Sequence, residues 1–170
     1  MLANLQLLSL GNNTFSDEIP TTLANLTNLA TLYLWGNELS GPIPQKLCML
    51  TKMQYLGFSR NKLTGEIPTC LSNLTKMEKL NLYQNQITGF IPKEIGTLAN
   101  LQDLSLGNNT LSGEIPTTLA NLTNLATLYL WGNELSGPIP QKLCMLTKMQ
   151  YLGFSRNKLT VSCLSARKTF

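Results

Sequence analysis

The sequence contains no histidine. That excludes Ser-His-Asp and Cys-His catalysis and every histidine metal site. Charge is sparse: 13% of the 170 residues are charged, about half the usual share, so Asn, Thr, Ser and Gln must supply the polar surface. The net charge is +4, and Arg167 and Lys168 near the C-terminus provide two of those positive charges. The remaining body is close to neutral, too weak a field for nucleic-acid binding. The four cysteines form no C-x-x-C pair and no zinc-ligand spacing. No phosphate-binding or dinucleotide-binding glycine motif occurs. No apolar run approaches the length of a bilayer crossing, so no membrane contact by this segment is expected. The carboxylates Glu38, Glu66, Glu114 and Glu134 recur at regular spacing and read as solvated turn positions, not as a glycosidase pair. No catalytic residue, metal or cofactor is therefore expected, and the chain reads as a non-enzyme.

What is present is periodic. Leu2, Leu26, Leu50, Leu74, Leu98, Leu122 and Leu146 are each 24 residues apart. With these as position 1, position 12 is Asn13, Asn37, Asn61, Asn85, Asn109, Asn133 and Asn157. Position 19 is Pro20, Pro44, Pro68, Pro92, Pro116 and Pro140, failing only in the seventh unit. The template is L-x-x-L-x-x-L-x-L-x-x-N-x-L-S/T-G-x-I-P-x-x-L-x-x. A fixed period of this length is the mark of a solenoid, in which one unit cannot bury its own apolar face and stacked units share a core.

Each template feature has a physical role. The L-x-L at positions 7 and 9 has period two, so both leucines face the core from a short strand, and the strands stack in parallel. Asparagine at position 12 offers two donors and an acceptor to the backbone of its own bend and of the neighbouring turn, forming a ladder. Gly41, Gly65, Gly89, Gly113 and Gly137 permit a tight or left-handed turn. Proline at position 19 fixes the chain direction. Leu23, Leu47, Leu71, Ile95, Leu119 and Leu143 at position 22 close the core from the opposite side.

The segments Leu39-Ser40-Gly41-Pro42-Ile43-Pro44 and Leu111-Ser112-Gly113-Glu114-Ile115-Pro116 resemble the plant-specific class of leucine-rich repeats. The resemblance covers residues 2–160. It implies an α/β, right-handed leucine-rich-repeat solenoid, with a parallel β-sheet on the concave face and short 3-10 or α turns with lateral strands on the convex side. The expected organisation is a 1–160 solenoid of seven 24-residue units, the last incomplete, and a 161–170 non-repeat tail. The family includes ectodomains of plant receptor-like kinases and receptor-like proteins, and polygalacturonase-inhibiting proteins. It implies a peptide or protein ligand, allows a co-receptor that also carries leucine-rich repeats, and places the chain on the extracellular side of the plasma membrane as part of a longer receptor. The alternatives are a secreted inhibitor of a cell-wall hydrolase and a non-functional truncated gene product. No signal peptide is expected, because the repeat begins at Leu2. No terminal cap is recognisable, so open apolar edges are expected at both ends of the stack.

Residues 98–160 repeat residues 2–64 at an offset of 96, with three differences: Leu7/Asp103, Phe15/Leu111 and Asp17/Gly113. Such identity exceeds what packing requires. It reflects either a duplicated ligand surface or, with fewer assumptions, recent unequal crossing-over or an assembly error in the gene.

The candidate ligand-binding residues lie at positions 6, 8, 10 and 11, which alternate away from the core onto the concave sheet. Tyr33, Trp35, Tyr55 and Tyr83 are expected to form one aromatic patch, and Tyr129, Trp131 and Tyr151 another. Tyrosine and tryptophan give large contact area at small entropic cost. Arg60 and Arg156 at position 11 offer partners for a carboxylate. The sequence has no paired R-x-R, which some family members use for a peptide carboxyl end. Five N-x-T sequons occur. Asn25, Asn73 and Asn121 are the expected glycosylation acceptors, whereas Asn12 and Asn108 lie at the concave edge. Cys48 and Cys70 occupy positions 23 and 21 of adjacent units. A disulfide between them is geometrically conceivable, but buried free cysteines are expected there and at Cys144, because the second copy lacks the partner.

Overall fold

Period-two leucines form strands at every repeat of the computed structural model, which describes residue 2 and residues 4–160. Ten strands follow in chain order: Leu7–Ser9 (β1), Thr31–Tyr33 (β2), Tyr55–Gly57 (β3), Lys79–Asn81 (β4), Asp103–Ser105 (β5), Ser112–Glu114 (β6), Thr127–Tyr129 (β7), Glu134–Pro138 (β8), Tyr151–Gly153 (β9) and Lys158–Thr160 (β10). Seven of them make one parallel sheet in the order β1-β2-β3-β4-β5-β7-β9. The register is a constant 24 residues, as in Leu32 opposite Leu56 and Leu56 opposite Leu80. β6, β8 and β10 form a second parallel sheet. It continues toward the N-terminus as single bridges, Glu18 to Ser40, Pro42 to Thr64, Glu66 to Thr88 and Phe90 to Ser112. The lateral strands implied by the S-G-x-I-P segments therefore run along the stack.

The third side consists of six 3-10 turns, Thr21–Asn25, Gln45–Met49, Thr69–Asn73, Lys93–Thr97, Thr117–Asn121 and Gln141–Met145. Each is preceded by its position-19 proline, whose φ near −60° is pre-set for entry into the turn. Leucines of the strands and turns meet in one continuous core from Ile19 to Leu146. Leu32, Leu56, Leu80, Leu104 and Leu128 are buried at position 7 of five successive units. At the same position on the two outermost strands, Leu8 is only partly buried and Leu152 is 41% exposed.

Asparagine at position 12 performs the satisfaction expected of it. Asn61 Nδ2 donates to Leu34 O of the preceding unit at 2.9 Å and to Phe58 O of its own bend at 3.0 Å. Its Oδ1 accepts from Leu39 N at 3.0 Å. The same three contacts recur at Asn37, Asn85, Asn109, Asn133 and Asn157. Asn13, in the first repeat of the sequence, bonds within its own bend, to Leu10 O and Gly11 O. The five template glycines all have positive φ, from 69° to 77°, and Asp17 takes the same left-handed conformation at 65° in the first unit.

The structure corrects the expectation of free cysteines. Cys48 and Cys70 form a disulfide with Cα atoms 5.8 Å apart, and Cys144 is disulfide-bonded too. Consecutive 3-10 turns lie side by side, so positions 23 and 21 of adjacent units come within bridging distance. Cys163 and the 161–170 tail lie outside the described residues. No helix among the described residues is long and apolar enough to cross a membrane.

Candidate functional site

Positions 6, 8 and 10 point to the solvent face of the seven-stranded sheet, opposite the buried leucines at 7 and 9. Strands about 4.8 Å apart leave room for a ring to lie flat only where the next strand carries a small residue. Four of the rings on this face, Tyr33, Trp35, Tyr129 and Trp131, lie over glycines. A Cβ added at Gly11 would sit 2.5 Å from the Trp35 indole, and one at Gly57 would sit 2.8 Å from Tyr33 Cδ1. In the second copy Trp131 covers Gly107 and Tyr129 covers Gly153. Each of these four rings thus takes space vacated by a glycine one unit away, an arrangement that the position columns show in outline only.

The aromatic residues group differently from the sequence expectation. Tyr83 stacks on Trp131, with ring centroids 5.3 Å apart and planes at 47°. Tyr129 and Tyr151 approach to 6.5 Å. Tyr83 therefore joins the second patch, because the intervening unit carries Gly107 and leaves a gap for both rings to cross. Trp35 is 39% exposed, while Trp131 is half-buried. Two tryptophans with nearly identical flanking sequence hence differ in environment, and the difference comes from Tyr83 in the unduplicated fourth unit.

In front of Trp35 is a shallow depression of about 170 Å³, lined by Tyr33, Trp35, Leu56, Gly57, Ser59, Lys79, Asn81 and Asp103. Its far wall is polar. Ser105 Oγ donates to Asp103 Oδ1 at 2.8 Å, and Asn81 Oδ1 accepts from Tyr83 N at 3.1 Å. Lys79 Nζ lies 5.8 Å from the Tyr55 ring centroid. Tyr55 Oη donates to Glu78 Oε2 at 2.9 Å, and Gln102 Nε2 donates to the same oxygen at 3.4 Å. The Glu78 hydrogen bond raises the Tyr55 pKa above its ordinary value, with desolvation and the Glu78 charge acting in the same direction. Glu78 and Lys79 were missed from sequence because they do not recur. The available signal was that the fourth unit has no twin.

Arg60 and Arg156 are exposed, but they stand at the exit of the sheet, each with φ of 55°. Position 11 is left-handed in every unit, at Asn12, Gly36, Arg60, Gln84, Asn108, Gly132 and Arg156. This turn carries the chain from strand to ladder asparagine, and it sets the two arginines at the rim, not in the aromatic columns. Asn108 Nδ2 donates to Tyr83 Oη at 3.4 Å. No group of three or more His, Cys, Asp or Glu among the described residues is arranged to hold a metal ion. The face offers aromatic area and a depression that is apolar on one side and polar on the other, which are means of binding.

The family model described as leucine-rich repeat region matches residues 1–107, and the leucine rich repeat model matches residues 100–122 and 124–146. No curated protein matches the chain significantly. Among solved structures, the plant peptide hormone receptor RGFR1 in complex with RGF2 superposes with a TM-score of 0.91 at 39% identity, over 92% of this chain and 25% of that one. The ectodomain of the Arabidopsis thaliana membrane receptor kinase GASSHO1/SCHENGEN3, in complex with CASPARIAN STRIP INTEGRITY FACTOR 2, gives 0.91 at 37% identity, over 92% of this chain and 19% of that one. The Arabidopsis receptor kinase HAESA, in complex with the peptide hormone IDA and the co-receptor SERK1, gives 0.86 at 34% identity, over 89% and 25%. The chain spans a quarter or less of the length of these three structures.

Proposed function

The chain belongs to the leucine-rich-repeat family, and from that premise we propose that it is a ligand-recognition module of a plant receptor-like kinase or receptor-like protein, exposed on the outer side of the plasma membrane. The solvent face of its long sheet takes an extended peptide or a protein segment. A co-receptor with leucine-rich repeats is the second partner. The observation that carries the reading is the depression between the Tyr33 and Trp35 rings and the Lys79–Asn81–Asp103 wall. An apolar platform beside a few fixed polar groups is the usual composition of a binding pocket. The hormone complexes formed by the similar receptors support a peptide over a small metabolite, and favour the receptor over the hydrolase-inhibitor alternative. The Cys48–Cys70 disulfide supports an oxidising, extracellular setting.

The two tryptophans give the test. A panel of synthetic linear peptides is screened by thermophoresis against the full chain, and binders are measured again on Trp35→Ala and Trp131→Ala. Loss of an exposed hot-spot aromatic weakens binding by tenfold or more, about 1.4 kcal/mol or above. Trp35→Ala is expected to do this with little change in thermal stability. Trp131→Ala is expected to lower stability, because its ring is packed on Tyr83. A reversed pattern, or the absence of any peptide binder, overturns the proposal.

A further inference from the structure

The near-neutral body is unevenly charged. The side formed by the 3-10 turns, with the bend that follows each turn, carries Lys46, Lys52, Lys76, Lys93, Lys142 and Lys148 against one carboxylate, Glu94. The lateral side, formed by the second sheet and the bridges that extend it, carries Asp17, Glu18, Glu38, Glu66, Glu114 and Glu134 against Lys62 and Lys158. The six lysines of the turn side and the six carboxylates of the lateral side are all exposed. The ion pairs among the described residues, Lys62–Glu38 at 3.1 Å and Lys158–Glu134 at 3.5 Å, both lie within the lateral side. Glu18, Glu66, Glu114 and the turn-side lysines take part in neither.

The two sides are striped with the same period. Position 17 reads Glu18, Pro42, Glu66, Phe90, Glu114 and Pro138, so a carboxylate recurs at every second unit. On the turn side Lys46, Lys93 and Lys142 stand at position 20 or 21 of the second, fourth and sixth units. Two units span about 10 Å of a parallel stack, so the three lysines and the three glutamates are spaced alike. The glutamate stripe also lies flat. A Cβ added at Gly41, Gly89 or Gly137 would sit 2.7, 2.8 or 2.9 Å from Cγ of Glu18, Glu66 or Glu114. Each stem therefore lies across the glycine of the next unit, which limits the rotamer freedom left to lose on contact. Phe90, 66% exposed in the middle of the stripe, lies across Gly113 in the same way.

A partner for either side must carry the opposite charge at a two-unit spacing, and the other side of this chain does. We propose that copies of this chain associate side by side, the turn side of one on the lateral side of the next, with Lys46, Lys93 and Lys142 against Glu18, Glu66 and Glu114 of the neighbouring copy. The match holds whether the two stacks run in the same direction or in opposite directions. Phe90, between Glu66 and Glu114, is then covered by the aliphatic stems of two of the lysines. The contact joins two different surfaces and is therefore heterologous, so a pair retains one free surface of each sign for further copies. It leaves the aromatic sheet open, so it stands or falls independently of the ligand reading.

The test is sedimentation velocity of the full chain at roughly 10⁻⁴ M, the range in which a few exposed charge pairs hold two proteins together. In about 20 mM NaCl a mass above the monomer that grows with concentration is expected, and the association constant is expected to fall about tenfold by about 500 mM as the charges are screened. The triple reversals K46E/K93E/K142E and E18K/E66K/E114K alter exposed side chains only, and circular dichroism checks that each is folded. Each alone is expected to associate at least about tenfold more weakly, because like charges now face each other. Mixed in equal amounts they are expected to associate within about threefold of the unaltered chain, since each supplies the charge that the other has lost. R60E/K79E/R156E makes the same change of net charge on the aromatic side and is expected to associate as the unaltered chain does. A monomer at every concentration overturns the proposal, as does association that persists at high salt, a triple reversal that still associates alone, or a mixture that does not. Equal loss in R60E/K79E/R156E would assign the effect to net charge and overturn the pairing.

Discussion

Replacing Asn109 with alanine probes the ladder where it is buried on both sides. Asn109 Nδ2 donates to Leu82 O and to Leu106 O at 3.0 Å, and its Oδ1 accepts from Ile87 N at 3.0 Å. The two carbonyls do not lose every donor on truncation. Leu82 O keeps Asn85 Nδ2, and Leu106 O keeps Asn133 Nδ2. The Ile87 N–H has no second acceptor and is orphaned inside the stack. An unsatisfied buried donor costs about 1–3 kcal/mol and each weakened carbonyl about 1, so the loss sums to roughly 3–5 kcal/mol. A domain with about 5–15 kcal/mol of total stability gives up roughly a fifth or more of it. With a urea m-value of about 2 kcal/mol/M the midpoint falls by roughly 2 M. Asn13→Ala is the control. Its residue bonds only to Leu10 O and Gly11 O, both in its own exposed bend, and its loss is expected to cost under about 1 kcal/mol. Urea denaturation followed by circular dichroism measures both. Equal midpoint shifts for the two variants would refute the argument that inter-unit satisfaction, and not local turn propensity, fixes asparagine at position 12.

The Cys48–Cys70 bond closes a loop of 22 residues, so reduction or Cys70→Ser is expected to cost about 3 kcal/mol, read as a lowered urea midpoint. Tyr55, whose pKa is raised chiefly by the Glu78 hydrogen bond, is expected to ionise after the ordinary tyrosines in a spectrophotometric titration. Because the folded value lies above the unfolded one, the associated stabilisation is complete below about pH 10 and is lost as pH rises through the folded value. Glu78→Gln is expected to return Tyr55 toward its usual range, and an unchanged titration would mean the hydrogen bond is not the cause.

The stack was legible because packing and backbone satisfaction repeat with the sequence. Leu32, Leu56 and Leu80 are buried as their period demanded, and Asn37 to Asn157 bond as an amide at a bend must. Less legible were features that depend on two units at once. The left-handed turn at position 11 is visible in Gly36, Gly132, Asn12 and Asn108, but Arg60, Gln84 and Arg156 disguise it. The Cys48–Cys70 disulfide was set aside because the second copy has no cysteine to match Cys70, although adjacent turns bring positions 23 and 21 together. The Tyr83–Trp131 stack escaped because it spans a glycine unit, and Lys79 and Glu78 because each occurs once at its repeat position.

The pairing of aromatic rings with neighbouring glycines has a consequence for how such a surface changes. A tryptophan moved alone into another unit meets a Cβ, and a glycine filled alone collides with a ring. The smallest exchangeable piece of this face is therefore a run of adjacent units, not a residue and not a single repeat. The block that recurs at an offset of 96 carries Trp with its glycine before it and Tyr with its glycine after it. Recombination by whole blocks keeps such couples intact, whereas point substitution breaks them. Engineering this face by grafting should follow the same boundaries, cutting where glycine and ring do not meet.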